Sequence, residues 1–502
     1  MGINEDMRNP KPVPKVEFDP SYAPPTELLL SLNYQYLKRE QWVPLEQRGE
    51  EYVVLMADPS NLLLRDRIEQ ILKTRRIKYL LASAEDIDKF IDHFFGLEEI
   101  IADRETDSVI VRMVDKIINE ACERKASDIH IEPDINDQEV QVRFRIDGEC
   151  IPYKSLPFSY RSPIVSRIKI MANLDITERR LPQDGKIKFK RPDGEEIELR
   201  VATIPTHGGV EDVVLRILTR GKILSLEDLQ MKPEDHRRFL EALKKPYGLI
   251  LIVGPTGSGK TTTAHAALQF LNKPNVKIWT AEDPVEIAQK GLRQVQVHHK
   301  IGYDFSHAMR AFLRADPDII MVGEMRDYET AKTGIEASLT GHLVLSTLHT
   351  NNAPETIVRL LDMGIDPFAF ADSIVCVLAQ RLVRTLCPTC RHGHRPSKED
   401  LSELSQLYGE TFFTDFPEGD FQIYRPTGCK TCNKTGYQGR KAIFELLMAS
   451  DEIKQLIIGR KSVAEIRKAA MAGGMRTLLQ DGIRRVVNGE TDLTEVLSVC
   501  IK

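Results

Sequence analysis

One eight-residue segment constrains the fold of this 502-residue chain more than any other. It reads GPTGSGKT and matches G-x-x-x-x-G-K-[ST], the pattern of a loop whose backbone N–H groups cradle phosphate oxygens. The apolar run Leu249–Val253 precedes it and the run TTTAHAALQF follows it, which is the strand–loop–helix context that the pattern requires. The segment therefore predicts an α/β nucleotide-binding domain. The residues predicted to line the phosphates are Gly254, Pro255, Thr256, Gly257, Ser258, Gly259, Lys260, Thr261 and Thr262.

Two side chains of this loop carry its expected chemistry. Lys260 is expected to bridge the β- and γ-phosphates of a nucleotide, and the Thr261 hydroxyl is expected to ligate Mg²⁺. A chance match without function is the competing interpretation. The strand and the helix on either side of the loop make that interpretation much the weaker one.

Three apolar runs downstream of the loop are each followed by polar side chains. IIMVG leads to Glu324, the run Val276–Thr280 leads to Glu282, and the run Leu343–Thr347 leads to His349. Asp283 and Glu286 follow soon after Glu282. Because ligands gather at the carboxyl ends of the strands in a doubly wound sheet, we expect these groups to lie beside the loop. Each alone is better explained as a surface acid, an ion pair or a buried structural histidine, but together they favour hydrolysis over a non-hydrolytic switch.

The eight cysteines divide into two sets of different meaning. One set consists of two C-x-x-C pairs in polar loops, formed by Cys387, Cys390, Cys429 and Cys432. Such knuckles let four thiolates converge on a tetrahedral structural zinc, although two redox pairs or free thiols are the alternative. His392 and His394 are not counted as ligands, because four cysteines already complete the coordination. The other set is predicted to be buried thiols and contains Cys122, Cys150, Cys376 and Cys500.

Composition and charge narrow the class of protein further. Hydrophobic residues make up 42% and charged residues 28% of the chain, the balance of a folded globular protein. Basic and acidic side chains nearly cancel (69 against 74), and no basic stripe with interleaved aromatic residues is present, so no nucleic-acid partner is expected. The sequence contains no apolar run of the roughly 18 residues that a spanning helix needs and no signal-peptide core. We therefore expect a cytoplasmic protein.

Shifts in residue pattern predict five segments. Residues 1–25 are rich in proline and polar residues and are expected to be a flexible lead. Residues 26–103 should form a small α/β domain, and residues 104–228 a second domain of alternating strands. Residues 229–378 contain the loop and should form the main α/β core. Residues 379–502 hold the cysteine knuckles and a helical end.

Two local predictions concern the second domain. Ser108 is expected to cap a helix whose apolar face starts at Ile110. In the strand that follows, Val142 and Phe144 should face the core while Arg143 faces away from it.

Several segments resemble one family, the secretion ATPases that power type II secretion and type IV pilus assembly. The segments at 280–286 (TAEDPVE), 313–327 (LRADPDIIMVGEMRD) and 340–353 (TGHLVLSTLHTNNA) look like that family's Asp box, Walker B and His box. Further similar segments are ASDIHIEP, VRFRIDG, RRLPQDGKI, LAQRLVRTLCPTC and GYQGRKAIFELL. The resemblance covers most of the chain after about residue 105, and it is weaker in residues 27–96, which look like the family's N-terminal adaptor.

This resemblance implies an α/β protein with a RecA-like P-loop NTPase domain. A PAS-like N2 domain and a small adaptor domain would precede it, and a tetracysteine zinc insertion and a helical C-terminus would follow. In this family Glu282 would position or activate the attacking water, Glu324 would act on Mg²⁺ or on that water, and His349 would sense the γ-phosphate. The sequence does not rank the two glutamates.

The family's N2 domain also offers arginines to the γ-phosphate, and Arg200 and Arg216 match those positions best. The competing interpretation is that both arginines are solvated residues on the face of a strand. The segment PTHGGVEDVVLR between them departs from the family pattern by one extra residue, which weakens the transfer of this role.

Partners and cofactors also follow from the resemblance. It implies ATP, Mg²⁺ and Zn²⁺, a homohexamer, an inner-membrane platform protein and a cytoplasmic adaptor domain of the machinery, with only indirect membrane contact on the inner face. Retraction motors of the family lack both the zinc insertion and the adaptor, so the chain sides with assembly or export. Type II secretion is favoured slightly over type IV pilus assembly, which stays the alternative.

Overall fold

A computed structural model describes residues 15–19, 22, 32, 34–48, 51–72, 74, 76–94, 104–218, 223–417 and 421–500. The chain divides into two compact units, Met1–Thr219 and Arg220–Lys502. No helix within the described ranges is both long and apolar enough to cross a membrane.

The first unit begins with a small three-stranded sheet. Its elements are α1 (Tyr34–Glu40), β1 (Trp42–Arg48), β2 (Glu51–Met56), α2 (Leu62–Leu72), β3 (Ile77–Leu81) and α3 (Ala84–Phe94). The sheet order is β1-β2-β3, with β2 antiparallel to β1 and parallel to β3. Most of the predicted lead lies outside the described residues. Its described part contacts this domain, since Lys15 bridges to Leu81 and the Phe18 ring packs edge-on against Phe90.

The same unit contains a six-stranded antiparallel sheet with the order β6-β5-β4-β9-β8-β7. Its elements are α4 (Arg104–Glu123), β4 (Asp128–Asp134), β5 (Glu139–Ile146), β6 (Glu149–Pro157), α5 (Arg161–Met171), β7 (Gln183–Lys190), β8 (Glu196–Thr206) and β9 (Val210–Leu218). The predicted alternation is confirmed, because Val142 and Phe144 are buried while Arg143 is half-buried. The predicted cap is wrong: α4 starts at Arg104, so Ser108 lies inside the helix rather than at its end.

The second unit is built on a seven-stranded sheet with the order β12-β11-β13-β14-β10-β15-β18. The elements up to its central strands are α6 (Pro233–Leu243), β10 (Gly248–Val253), α7 (Lys260–Leu271), β11 (Ile278–Glu282), β12 (Arg293–Gln296), α8 (Phe305–Phe312), β13 (Ile319–Val322), α9 (Tyr328–Leu339), β14 (Leu343–Leu348), α10 (Ala353–Asp362) and α11 (Pro367–Ser373). Strands β10 to β14 pair in parallel, and β10 and β14 are buried along their whole length. Their carboxyl ends therefore share one edge of the sheet.

The remaining elements continue this core. They are β15 (Ile374–Leu386), β16 (His392–His394), α12 (Lys398–Tyr408), α13 (Phe412–Asp415), β17 (Ile423–Arg425), β18 (Tyr437–Met448), α14 (Asp451–Ile458), α15 (Val463–Ala472), α16 (Leu478–Val487) and α17 (Leu493–Cys500). Strand β15 pairs in parallel with β10 and antiparallel with β18. The central sheet thus extends past the predicted boundary at residue 378, and the C-terminal helices pack on the same apolar core.

The four isolated cysteines are less buried than predicted. Only Cys376, in β15, is buried; Cys122, Cys150 and Cys500 are half-buried. The reason is their position: Cys150 lies on β6, an edge strand of its sheet, and Cys500 ends the last described helix.

Candidate active site

The glycine-rich loop joins β10 to α7 through backbone conformations that favour glycine. Gly254 has φ +151° and Gly259, at the start of α7, has φ +87°. A Cβ on Gly254 would lie 2.4 Å from the carbonyl oxygen of Gln380, and one on Gly259 would lie 2.7 Å from the Gln380 side-chain nitrogen. Both glycines are therefore required by a close approach to β15 as well as by their φ angles.

Lys260 is the buried cation of this loop. Its Nζ donates to the carbonyl oxygens of Gly254 at 2.8 Å and Pro255 at 3.0 Å. Burial lowers the pKa of Lys260 to about 8, the nearby Glu324 carboxylate opposes that shift, and Arg381 adds to it. A bound phosphate would replace these carbonyl oxygens as the acceptor of hydrogen bonds from the Lys260 ammonium. The next residue, Thr261, exposes its side chain in the first turn of α7.

Glu324 and His349 lie in contact at the carboxyl ends of β13 and β14. The Nε2 of His349 is 3.2 Å from one Glu324 oxygen, and Arg326 Nε is 2.7 Å from the other. The preceding turn is held by backbone, because Gly323 N–H donates to the Ala281 carbonyl at 2.7 Å. The structure thus brings together two of the predicted groups, and the Glu324 charge acts on Lys260.

Glu282 is enclosed by a different set of neighbours. It ends β11, where one carboxylate oxygen lies 3.2 Å from His265 Nε2 on α7. The other oxygen accepts hydrogen bonds from the Thr280 hydroxyl at 2.5 Å and the Gln294 amide at 3.0 Å. Burial raises the pKa of Glu282, but the hydrogen bonds outweigh burial and the net shift is downward. Glu282 is therefore a buried, ionised carboxylate with both oxygens engaged.

The other acids of this segment are exposed. Asp283 follows Glu282 and lies 3.0 Å from His299 Nε2, and the Glu286 side chain is also exposed. Among Glu282, Asp283 and Glu286, only Glu286 has an exposed carboxylate that makes no hydrogen bond within the described part of the chain.

Arg200 and Arg216 belong to the first unit, where they are cross-strand neighbours on β8 and β9. Arg216 is 58% exposed, and its Nε donates to Asp128 at 2.8 Å. Lys186 on β7 is the cross-strand neighbour of Arg200. Arg145 on β5 has its Nε 3.8 Å from an oxygen of Asp128. The two predicted arginines therefore sit in a row of cations in which Arg216 is paired with Asp128 and Lys186 is paired with Glu198.

The four predicted zinc ligands converge. The sulfur atoms of Cys387, Cys390, Cys429 and Cys432 all lie within 4.8 Å of one another. Backbone N–H groups of Cys429 and Gly436 donate to the Cys432 sulfur at 3.1 and 3.2 Å. Burial opposes ionisation of Cys432, but these donors outweigh it and lower its pKa to about 6. Four converging sulfurs, one already favoured as thiolate, fit a structural zinc ion, and His392 and His394 lie outside the group.

Two residues near the loop were missed by the sequence analysis. Gln380 on β15 is 2% exposed and bonds both to the loop and to α7, and His265 on α7 is fully buried against Glu282. The available signal for Gln380 is a single amide directly after the apolar run IVCVLA of β15. A buried polar group normally has a hydrogen-bond partner, so this amide had to contact something specific.

Comparisons with known proteins agree with this geometry. The sequence model of the family described as type II/IV secretion system protein matches residues 103–498, and that of the MshEN domain matches residues 14–101. The chain is 42% identical to the type IV pilus assembly ATPase PilB of Myxococcus xanthus, over 91% of this chain and 83% of the relative. It is 39% identical to the type II secretion system protein E of Xanthomonas campestris pv. campestris, over 93% of this chain and 84% of the relative.

A solved structure gives the same result for the fold. The crystal structure of the pilus retraction motor PilT with bound ADP is similar with a TM-score of 0.54 and 25% sequence identity. The similarity covers 77% of this chain and 97% of that one.

Proposed function

We propose a motor function for this chain, which belongs to the type II/IV secretion system protein family and is an ATP-hydrolysing enzyme. The motor is a homohexamer that couples hydrolysis to assembly of a pseudopilus for type II protein secretion. One observation carries the proposal: Lys260, Glu324 and His349 lie together at the carboxyl ends of the parallel strands of the central sheet. A phosphate-binding loop and a carboxylate–histidine pair are the parts that hydrolysis of a γ-phosphate needs.

Each residue has a role in this proposal. The loop N–H groups and Lys260 hold the phosphates, and Thr261 holds the Mg²⁺ ion, which when bound neutralises charge on the transferred phosphoryl group. Glu324 orients the attacking water or the metal, and His349 reports the γ-phosphate to Glu324. Glu282 is the second candidate for activating the water. Glu324 is preferred because its charge acts on Lys260 and its partners His349 and Arg326 are exposed, whereas the partners of Glu282 on α7 and β11 are fully buried.

Two arginines of the first unit have a role in the proposed ring. Arg200 and Arg216 approach the γ-phosphate and stabilise the charge that develops on it. The cation row on β7, β8 and β9 supports this assignment, because clustered cations suit a multiply charged phosphate. Arg216 is exposed and Arg200 is half-buried.

The N-terminal adaptor, residues 26–103, is proposed to dock the motor on the secretion machinery. Its partners are an inner-membrane platform protein and a cytoplasmic adaptor domain, which place the motor on the inner face of the cytoplasmic membrane. The MshEN match over residues 14–101 supports a domain of distinct function in this region.

Assembly of a type IV pilus is the second candidate function. It is favoured by the similarity to a pilus assembly ATPase over 91% of this chain, which includes the adaptor region. Deletion in the source organism separates the two: loss of secreted exoproteins with pili intact supports secretion, and loss of pili with secretion intact supports pilus assembly.

The chemistry is tested on the purified chain by measuring ATP affinity and phosphate release. Lys260→Ala should abolish binding, because the phosphates lose their main cation. Glu324→Gln should keep binding and lose about 100-fold or more in turnover, the scale of a lost catalytic group. The rates of phosphate release of Glu282→Gln and Glu286→Gln, measured side by side, show which of these two acids contributes more to turnover. Glu336→Gln, an exposed acid on α9, is the control. Near-normal turnover of Glu324→Gln would remove its assigned role.

A further inference from the structure

The buried amide of Gln380 makes two hydrogen bonds to the phosphate-binding segment. Its Nε2 donates to the Ser258 carbonyl at 2.8 Å, and its Oε1 accepts from the Thr263 hydroxyl at 2.7 Å. Gln380 and Thr263 are both buried, with 2% and 0% exposure. The amide is thus held by α7 at one end and holds the loop at the other. The Ser258 carbonyl can only accept, so it fixes which end of the amide carries the nitrogen, and the Thr263 hydroxyl donates to the oxygen at the other end.

The Ser258 carbonyl belongs to the same planar peptide as the Gly259 N–H. In a trans peptide these two groups point in opposite directions. Anchoring the carbonyl on β15 therefore directs the Gly259 N–H away from β15. In loops of this pattern such N–H groups are the ones that cradle phosphate oxygens.

Gly259 makes this peptide easy to reverse. Rotation of the whole peptide changes φ of Gly259 and ψ of Ser258, and a glycine tolerates either sign of φ. The observed φ of +87° is one of the two accessible states. After reversal a carbonyl oxygen would face the phosphates, and its partial negative charge would repel them. The fold must therefore supply something other than sterics to select the binding orientation.

We infer that Gln380 is a positioning residue of the nucleotide site, which selects the phosphate-binding orientation of the Ser258–Gly259 peptide. This inference rests on the proposed nucleotide site and adds to it a residue from β15, outside the glycine-rich motif. Gln380 acts through the loop backbone, so its effect belongs to the phosphates and not to the nucleoside.

The test measures affinities for ADP and for adenosine by competition against a fluorescent ADP analogue. Gln380→Met removes both hydrogen bonds with little change in volume. It should weaken ADP binding about tenfold or more, which is the loss expected when the Gly259 N–H no longer donates to a charged phosphate. Adenosine affinity should stay within about twofold. Ser373→Ala is the matched control, because it removes one buried hydroxyl hydrogen bond at the end of α11, just before β15 and outside the phosphate-binding segment.

Two more variants keep the test decisive if Gln380→Met folds poorly. Gln380→Glu retains the size and the Thr263 bond but sets an acceptor against the Ser258 carbonyl, so ADP affinity should fall at least as far. Thr263→Val frees the amide to rotate and should give a smaller loss of the same kind.

Three results bear on the inference in different ways. ADP affinity unchanged in the Gln380 variants, while Lys260→Ala abolishes it, would overturn the inference and leave the nucleotide site standing. Equal losses for ADP and adenosine would also overturn it, because they indicate general distortion. ADP binding that survives Lys260→Ala would overturn the proposed site itself.

Discussion

At the scale of single residues, the site combines groups whose charge states depend on burial. Lys260 is the clearest case: burial lowers its pKa to about 8, so part of the free protein carries a neutral amine at mildly alkaline pH. Glu324 opposes this shift and Arg381 reinforces it. Bound phosphates would raise the pKa again, because they add negative charge beside the ammonium. Nucleotide binding should therefore take up a proton above pH 8.

A pH titration of ADP affinity follows from this linkage. Affinity should be flat near pH 7 and fall above pH 8 by up to about tenfold per pH unit, since the neutral lysine must be protonated for binding. Calorimetry in two buffers of different ionisation enthalpy measures the proton taken up. Lys260→Arg, which stays charged, should bind ADP with a much flatter pH profile. An affinity that is constant between pH 7 and 9 would contradict the assigned shift.

At the scale of elements, the tetracysteine cluster and the central sheet are continuous. Strand β15 runs into Cys387, and β18 starts one residue after Gly436, which donates to the Cys432 sulfur. The two strands pair along most of their length. A metal ion bound by the four cysteines would therefore fix one end of the β15–β18 pair, whose other end belongs to the ATPase core.

Removal of zinc should loosen this end of the strand pair. We expect one zinc per chain in protein purified without chelators, and none after Cys387→Ser with Cys390→Ser. Limited proteolysis should then cut between residues 387 and 440, because the knuckle loops lose their fixed geometry. Cys122→Ser with Cys150→Ser is the control and should retain the metal. Elemental analysis that finds no zinc in the unaltered protein would overturn the assignment.

The elements around the loop were predictable because their signals are local. The apolar run before the loop and the helix after it appear as β10 and α7, with β10 starting one residue earlier than predicted. The contacts of His265 and Gln380 were not predictable, because each depends on two elements distant in sequence. The predicted helix cap at Ser108 failed because the helix extends back to Arg104. The sequence there offers several cap-type residues, Asp103, Thr106, Asp107 and Ser108, and does not rank them.

At the scale of the whole molecule, the parts of the proposed site are divided between two units. The loop and its acids lie in Arg220–Lys502, and Arg200 and Arg216 lie in Met1–Thr219. The resemblance predicted from short segments is confirmed by the family match over residues 103–498. The predicted break at residue 378 falls within β15, which belongs to the central sheet. Sheet pairing between distant strands is decided by the fold and has no local signal.

The specific ATPase activity as a function of protein concentration tests the ring motor most directly, with light scattering on the same samples. An arginine supplied to the γ-phosphate can be worth about 10³–10⁵ in rate. A ring motor should show weak specific activity as a monomer and a steep rise in activity as hexamers form. Arg200→Ala or Arg216→Ala should flatten that rise while ATP affinity stays within about threefold, because the phosphates keep Lys260. Full activity, independent of concentration, in samples that scatter as monomers would contradict the account.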